Sequence, residues 1–280
     1  MENDIKRIII RALKEDLSHR DITTNILFDK AKRSEAYIMT REEAMICGSE
    51  IVKNVFRMLD PSMKVSCLHK DGDLVRKNTV IMRFKGRTRA LLSGERTALN
   101  FLSYLSGIST LTNQYVKAIK GYPAHILDTR KTTPGLRTLE KMAVRVGGGK
   151  NHRFNLNDMV MIKDNHRIAQ ARQSSIQDAI KKVRQRTSKP LCVEVDNLEE
   201  YKQALQADPC IILLDNMSTS QMKKAVEIRA CLKKKFLLEA SGGITLKNIR
   251  QVAKTGIDRI SIGAITHSPP TIDFTMEFEQ

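Results

Sequence analysis

The sequence predicts an α/β protein: a mixed α/β layer over residues 1 to about 110, followed by an α/β barrel. Three observations predict it. Beyond Gly121-Tyr-Pro123, short apolar runs alternate with amphipathic helical stretches, the pattern of βαβ units around a parallel sheet. Nearly every one of those runs ends in charged residues or glycines. A length of 280 residues, with 41% hydrophobic and 28% charged residues, suits an ordinary soluble globular protein with a sizeable core.

In chain order, Ile5 to Leu17 carries apolar residues at helical spacing and ends in Ser18-His-Arg-Asp21. Glu35 to Ile46 is a predicted strand, and Ser49 to Leu59 a helix stopped by Asp60-Pro61. Val65 to Phe84 alternates and is broken by Lys70-Asp-Gly72, a turn signal between two strands. Thr88 to Leu105 is a long apolar helix carrying Glu95 and Arg96. The barrel strands follow: Ile126-Leu127, Met159 to Ile162, Leu191 to Val195, Ile211 to Leu214, Phe236 to Leu238 and Ile257 to Ile262. Ile176 to Arg186, Leu198 to Ala207, Ser220 to Leu232 and Leu246 to Lys254 are the helices between them.

The strand ends favour a barrel over a doubly wound sheet. They read Asp128-Thr-Arg-Lys131, Lys163-Asp164, Glu194, Asp215-Asn216, Glu239-Ala-Ser-Gly-Gly243 and Gly263. A barrel gathers every C-terminal strand end around one mouth, whereas an open sheet spreads them along a crevice. Six strands are visible, so a complete eight-stranded barrel is not expected.

Composition narrows the function. The net charge is +17 and the isoelectric point about 9.8, which alone is compatible with nucleic acid, a membrane surface or small polyanionic substrates. The basic residues are spread along the chain, and the densest run, Lys233-Lys-Lys235, reads as a solvated turn at a helix end. Aromatic residues are 5% with no tryptophan, so stacking platforms for single strands are lacking. Apolar runs such as Cys210 to Leu214 are too short to cross a bilayer, and the start, Met-Glu-Asn-Asp, has no signal-peptide pattern; a cytoplasmic protein is the expectation. The five cysteines (47, 67, 192, 210, 231) lie far apart, and Cys192 and Cys210 sit in apolar runs as buried thiols do. His152 and His166 lack metal-ligand spacing, which argues against zinc.

At the strand ends and flanking loops, Arg130, Lys131, Arg137, His152, Arg153 and Lys163 are cationic, with Arg96 available from the preceding helix. That set suits substrates bearing several carboxylate or phosphate groups, because arginine forks match such oxygens two at a time and lysine acts as a point charge. Glu194 and Asp215 end neighbouring strands; they could hold Mg²⁺, bind ribose hydroxyls, stabilise a cationic reaction centre or pair with the surrounding cations. Ser241-Gly-Gly-Ile244 and Ser261-Ile-Gly263 follow the last two strands, where glycines let backbone N–H groups approach a phosphate. Gly147-Gly-Gly-Lys150 fails the P-loop spacing and reads as a flexible turn that carries Asn151-His-Arg153 to the mouth.

Several longer motifs add to this. Asp128-Thr-Arg-Lys-Thr-Thr-Pro-Gly-Leu-Arg137, Gly147-Gly-Gly-Lys-Asn-His-Arg153, Met161-Ile-Lys-Asp-Asn-His166, Leu213-Leu-Asp-Asn-Met217 and Glu239-Ala-Ser-Gly-Gly-Ile244 closely resemble the quinolinate phosphoribosyltransferase family. Glu95-Arg-Thr-Ala-Leu-Asn100, Gly263-Ala-Ile-Thr-His-Ser268 and Glu15-Asp-Leu17 with Asp21-Ile-Thr-Thr24 extend the match over essentially the whole chain. The resemblance implies an N-terminal sandwich-like α/β domain (1–110) on which the C-terminal tail (268–280) packs, and an incomplete six- to seven-stranded α/β barrel (111–267). It implies a transferase that joins quinolinate to phosphoribosyl pyrophosphate, releasing pyrophosphate and CO₂ and forming nicotinate mononucleotide for NAD biosynthesis. It also implies Mg²⁺ as cofactor, and a homodimer or larger homo-oligomer in which Arg96 reaches the partner's site. Residue by residue, Arg96, Thr129, Arg130, His152, Arg153 and Lys163 resemble the quinolinate-binding set. Lys131, Glu194, Asp215, Ser241, Gly242, Gly243, Ile262, Gly263 and His267 resemble the phosphoribosyl pyrophosphate contacts. Lys131, Lys163, Glu194 and Asp215 are the implied catalytic residues, and Glu194 and Asp215 the carboxylates near the metal.

Three positions depart from the family pattern: Ser18-His-Arg20 where a glycine turn is common, Phe154-Asn155 for a glycine-bearing pair, and Cys192 where a glutamate is frequent. A ModD-like molybdenum-associated paralogue or a nicotinate-using enzyme is the alternative of the same fold, and a monocarboxylate needs fewer cations than are present. A basic nucleic-acid-binding protein is the alternative of another class, with no nucleic-acid motif to support it.

Overall fold

The structure, a computed structural model, describes residues 2–169, 175–207, 209–232 and 235–279; Lys233 and Lys234 of the basic run lie outside them. The chain begins with α1 (Glu2–Leu17), α2 (Ile22–Leu27), β1 (Arg33–Thr40), β2 (Ala44–Met45) and α3 (Ser49–Leu59). It continues through β3 (Lys64–Cys67), β4 (Leu74–Val75), β5 (Val80–Arg87) and α4 (Thr88–Ala118). Next come β6 (His125–Leu127), α5 (Arg137–Val146), β7 (Val160–Ile162), α6 (Asp164–Ala169), α7 (Ile176–Arg184) and β8 (Leu191–Val195). The remainder is α8 (Leu198–Leu205), β9 (Ile211–Asp215), α9 (Thr219–Cys231), β10 (Leu237–Ser241), α10 (Ile249–Ala253), β11 (Arg259–Ser261), α11 (Ala264–His267) and β12 (Phe274–Phe278). Two compact units result: Met1–Asn113 with Thr132–Gly148 and Ala264–Gln280, and Gln114–Lys131 with Gly149–Gly263. Unlike the sequence-based division at 110 and 267, this grouping assigns α5 and α11 to the first unit.

In the first unit, β12, β1, β5 and β3 form an antiparallel sheet in that order, so the C-terminal tail supplies its outer strand. Alternation decides the buried face: Ala36, Ile38 and Thr40 of β1 and Met82, Phe84 and Gly86 of β5 point inward. Helix α3 lays Ile51, Val52, Val55 and Phe56 on that core, with the Phe56 and Phe84 rings 4.7 Å apart. No side chain caps α3 from its own Gly48; the Asp71 carboxylate does so, accepting from Gly48 N and Ser49 N at 3.0 Å each.

Two expectations fail here. The predicted strand Glu35–Ile46 is broken after Thr40, whose hydroxyl donates to the Glu42 carbonyl and turns the chain. The Lys70–Gly72 turn does not join paired strands, because β3 pairs with β5 while β4 pairs with β2. Helix α4 runs well past Leu105. Gly107 lies within it because a Cβ there would come 1.8 Å from the Pro270 carbonyl oxygen. Ser18 ends α1 with φ 47°, the left-handed conformation that a glycine would adopt without strain.

In the second unit the parallel sheet has the order β6-β11-β10-β9-β8-β7. Each strand after β7 pairs with its predecessor, and the last, β11, pairs with the first, β6. A doubly wound sheet would reverse direction about its first strand; this order goes round once, as a barrel does. Strands β6 and β7 are not paired with each other, so the ring is incomplete, and Lys150 extends it by one parallel bridge to Leu127. The Gly147–Lys150 stretch is therefore pinned at its end rather than free. Among the described residues, no helix is long and apolar enough to cross a membrane.

Candidate active site

The period of two in a strand sorts the barrel residues into layers. Glu194 on β8, Leu213 on β9, Glu239 on β10 and Arg259 on β11 are register partners, one strand to the next. Two residues further along, Asp215 and Ser241 are again partners. The same face thus carries Cys192 below Glu194 on β8, and Met161 before Lys163 at the end of β7. Met159, Met161, Cys192, Ile211 and Leu213 form one apolar cluster there. An apolar floor therefore carries polar residues at its C-terminal edge.

The polar layer is electrically connected. Lys163 Nζ lies 2.5 Å from Glu194 Oε2, a pair in which Glu194 is nearly buried and Lys163 half-exposed. Burial raises the Glu194 carboxyl above its ordinary value, Lys163 pulls it down, and Asp215 and Asp164 push it up again. For Arg153, burial and the nearby Arg130 charge lower the guanidinium, while Cys192, Asp158 and Glu194 act the other way. Arg130, Arg153, Lys163, Glu194 and Asp215 therefore share one region of the second unit. Like charges kept this close favour a ligand that neutralises them.

The segment carrying Arg153 is tightly held. Asp128, fully buried at the end of β6, accepts from His152 N at 2.8 Å and from Asn151 Nδ2 at 2.5 Å. Arg153 donates its main-chain N–H to His152 Nδ1 at 2.8 Å and its Nη1 to the Met159 carbonyl at 3.0 Å. His152 Nε2 faces Glu239 Oε1 at 3.2 Å, and Arg259 Nε lies 2.9 Å from the other Glu239 oxygen. Burial raises the Glu239 carboxyl, but the His152 contact and the Arg259 charge outweigh it and hold it below its ordinary value. His152 is 7% exposed, and both ring nitrogens face protein groups.

The glycine turn after β10 has a steric reason. Gly242 (φ 88°) and Gly243 (φ 60°) are both left-handed, and a Cβ on Gly242 would meet Asn216 Oδ1 at 2.1 Å. Asn216, itself at φ 52°, donates its main-chain N–H to the Ser241 carbonyl at 2.9 Å and its Nδ2 to Asp215 at 2.9 Å. It couples the acidic end of β9 to the glycine turn. Ile262, also expected among the phosphoribosyl pyrophosphate contacts, has a buried side chain, and its N–H donates to the Leu127 carbonyl.

Thr129, Arg130, Lys131, Ser241 and Gly263 also belong to the second unit, at strand ends. Arg96, exposed on α4, and His267, whose Nδ1 is 2.7 Å from Ser268 Oγ, belong to the first, as does Arg137, whose Nε donates to Thr132. Sequence reasoning passed over Asp128, Asn216, Glu239 and Arg259 as site residues. The acidic ones were visible as carboxylates at a strand end (Asp128) or one alternation before it (Glu239). Cys192 is buried as expected, but Cys210 is exposed, and all five cysteines are free thiols. Among the described residues, no three metal-ligating side chains converge. Two carboxylates, Glu194 and Asp215, fit a Mg²⁺ ion that takes its other ligands from water and substrate oxygens.

Known proteins resemble this chain over nearly its whole length. The family model for the quinolinate phosphoribosyl transferase N-terminal domain matches residues 21–106, and that for the C-terminal domain residues 108–277. A probable nicotinate-nucleotide pyrophosphorylase [carboxylating] of Synechocystis is 43% identical, covering 95% of this chain and 89% of that protein. The Bacillus subtilis protein of the same description is 40% identical, covering 98% of this chain and 93% of its own length. The solved nicotinate-nucleotide pyrophosphorylase of Francisella tularensis is 39% identical with a TM-score of 0.93, covering 100% of this chain and 97% of that one. Both halves of the chain, and their order, thus carry the same signature: it belongs to the quinolinate phosphoribosyltransferase family.

Proposed function

We propose that this chain transfers a phosphoribosyl group from phosphoribosyl pyrophosphate to quinolinate, forming nicotinate mononucleotide, pyrophosphate and CO₂. The observation that carries the reading is the convergence of Arg130, Arg153 and Lys163 beside Glu194 and Asp215 in one barrel mouth. The two arginines and Lys163 hold the two ring carboxylates, with Thr129 beside them, and orient the pyridine nitrogen toward the sugar. His152 acts at one remove, by holding Arg153.

The nitrogen attacks C1′ as the bond to pyrophosphate breaks, and positive charge builds on the ribose. Glu194 and Asp215 stabilise that charge, and Lys131 neutralises the departing pyrophosphate. Glu194 and Asp215 would also hold Mg²⁺ together with substrate oxygens, and the ion would neutralise phosphate charge. The quaternised ring then accepts the electron pair released as the adjacent C–CO₂ bond breaks, and a proton from water replaces the carboxylate. The left-handed glycine turn at Gly242-Gly243, with Ser241 and Gly263, lets main chain approach the 5′-phosphate.

Arg96 and His267 have their roles from the family likeness alone. A homodimer or larger homo-oligomer is supported by exposed Ile22, Ile26 and Leu27 on α2, an apolar set that a second copy would cover. A cytoplasmic location fits the free cysteines.

The test is to incubate purified protein with phosphoribosyl pyrophosphate and either quinolinate or nicotinate, with and without Mg²⁺. The expected result is nicotinate mononucleotide and one CO₂ per turnover from quinolinate only, and only with Mg²⁺. Turnover of nicotinate in preference would assign the chain to the nicotinate-using alternative.

A further inference from the structure

We propose that Glu239 and Arg259 form a buried device that sets the tautomer of His152 and thereby positions Arg153; this rests on the reading of Arg153 as a quinolinate ligand. Because His152 Nδ1 accepts the Arg153 main-chain N–H at 2.8 Å, the ring must carry its hydrogen on Nε2. That nitrogen lies 3.2 Å from Glu239 Oε1. Were the hydrogen on Nδ1, it would oppose the Arg153 N–H and push the arginine's main chain off its seat.

Glu239 is 0% exposed and its register neighbour on β9 is Leu213, so an apolar residue would fit this layer of the sheet. Buried ion pairs are weak stabilisers compared with apolar packing of the same volume. What a carboxylate does here, and an apolar residue could not, is accept hydrogen bonds without ever donating one. With Arg259 at one oxygen, Glu239 can meet His152 only as an acceptor.

Glutamine at this position would behave differently. Its single oxygen goes to the charged Arg259, which leaves its NH₂ facing His152 Nε2 and demands the wrong tautomer. Removing the arginine as well frees that oxygen for His152. Three variants therefore separate positioning from mere packing: Glu239→Gln, Arg259→Met, and the two combined.

For wild type and each variant, imidazole ¹⁵N spectra report the tautomer, and steady-state kinetics report KM for each substrate and kcat. Wild type is expected to show the Nε2–H form. Glu239→Gln should convert it to Nδ1–H and raise the quinolinate KM at least about tenfold, with the phosphoribosyl pyrophosphate KM little changed. The double variant should recover the Nε2–H form and part of the quinolinate affinity. An Nδ1–H ring in wild type overturns the proposal, as does an unchanged quinolinate KM in Glu239→Gln or a double variant worse than the single. A wild-type protein with no activity on quinolinate would instead overturn the functional reading, leaving the tautomer result to stand or fall by its spectrum.

Discussion

Some carboxylates of the two units are used in opposite ways. In the first, those with the most contacts serve main chain: Asp71 caps α3, and Asp60 accepts from Ser62 N and Arg87 N. Its Arg41–Glu277 ion pair stands half-exposed. In the second, Glu194 and Glu239 face cationic or imidazole side chains with little or no exposure. A carboxylate that satisfies orphan N–H groups is a stability device, whereas one buried among cations costs desolvation and calls for another purpose. The proposed reaction gives Glu194 such a purpose.

Substitutions can break this contrast at four points. The largest effect is expected at Arg153→Ala: quinolinate kcat/KM should fall by about 100-fold or more, roughly 3 kcal/mol, with little change in melting temperature. Steady-state kinetics beside a thermal melt would check it, and a large loss of stability without a KM effect would mark Arg153 as structural. Asp71→Ala should do the reverse, costing about 1–2 kcal/mol through the lost α3 cap while kinetic constants stay near wild type.

Smaller effects sharpen the picture. Glu194 has its carboxyl raised first by burial, so it ionises at higher pH than an ordinary glutamate. The proton is bound more tightly folded than unfolded, so this group subtracts stability as pH rises through that window. Asp215→Asn removes a like charge and should move the Glu194 titration, followed by carboxyl ¹³C resonances, to lower pH. Lys163→Met should move it to higher pH; an unmoved titration in both would uncouple the three residues. The smallest change belongs to Arg41→Ala, whose half-exposed pair with Glu277 should contribute under about 0.5 kcal/mol in a denaturant melt.

The sequence revealed those parts of the fold that depend on local pattern. Leu191–Val195 and Ile211–Asp215 are mostly apolar runs, each with one carboxylate near its end, that survive as strands because both faces are covered. Helix α3 was bounded by Asp60-Pro61 and kept its limits. Tertiary contact decided the rest. The two-residue pairing of β2 with β4 is too short to leave a periodic signal, and Arg137–Val146 was hidden behind a loop-like motif although its face is amphipathic.

The site shows the same division. Strand ends announced Lys163, Glu194 and Asp215, since a charge closing an apolar run is visible in one dimension. The contacts behind the indirect role proposed for His152 were not visible, because they come from Glu239 and Arg259 on strands far along the chain. Asn216 escaped for the same reason: its contacts with Ser241 and Gly242 exist only once β9 and β10 are paired.

Calorimetric binding of quinolinate and of nicotinate to wild type and to Arg153→Ala tests most directly whether converged cations recognise a dicarboxylate. Wild type should prefer quinolinate by at least about tenfold, and the substitution should erase most of that preference. Equal affinity of wild type for the two acids, or a preference that survives the loss of Arg153, would contradict it.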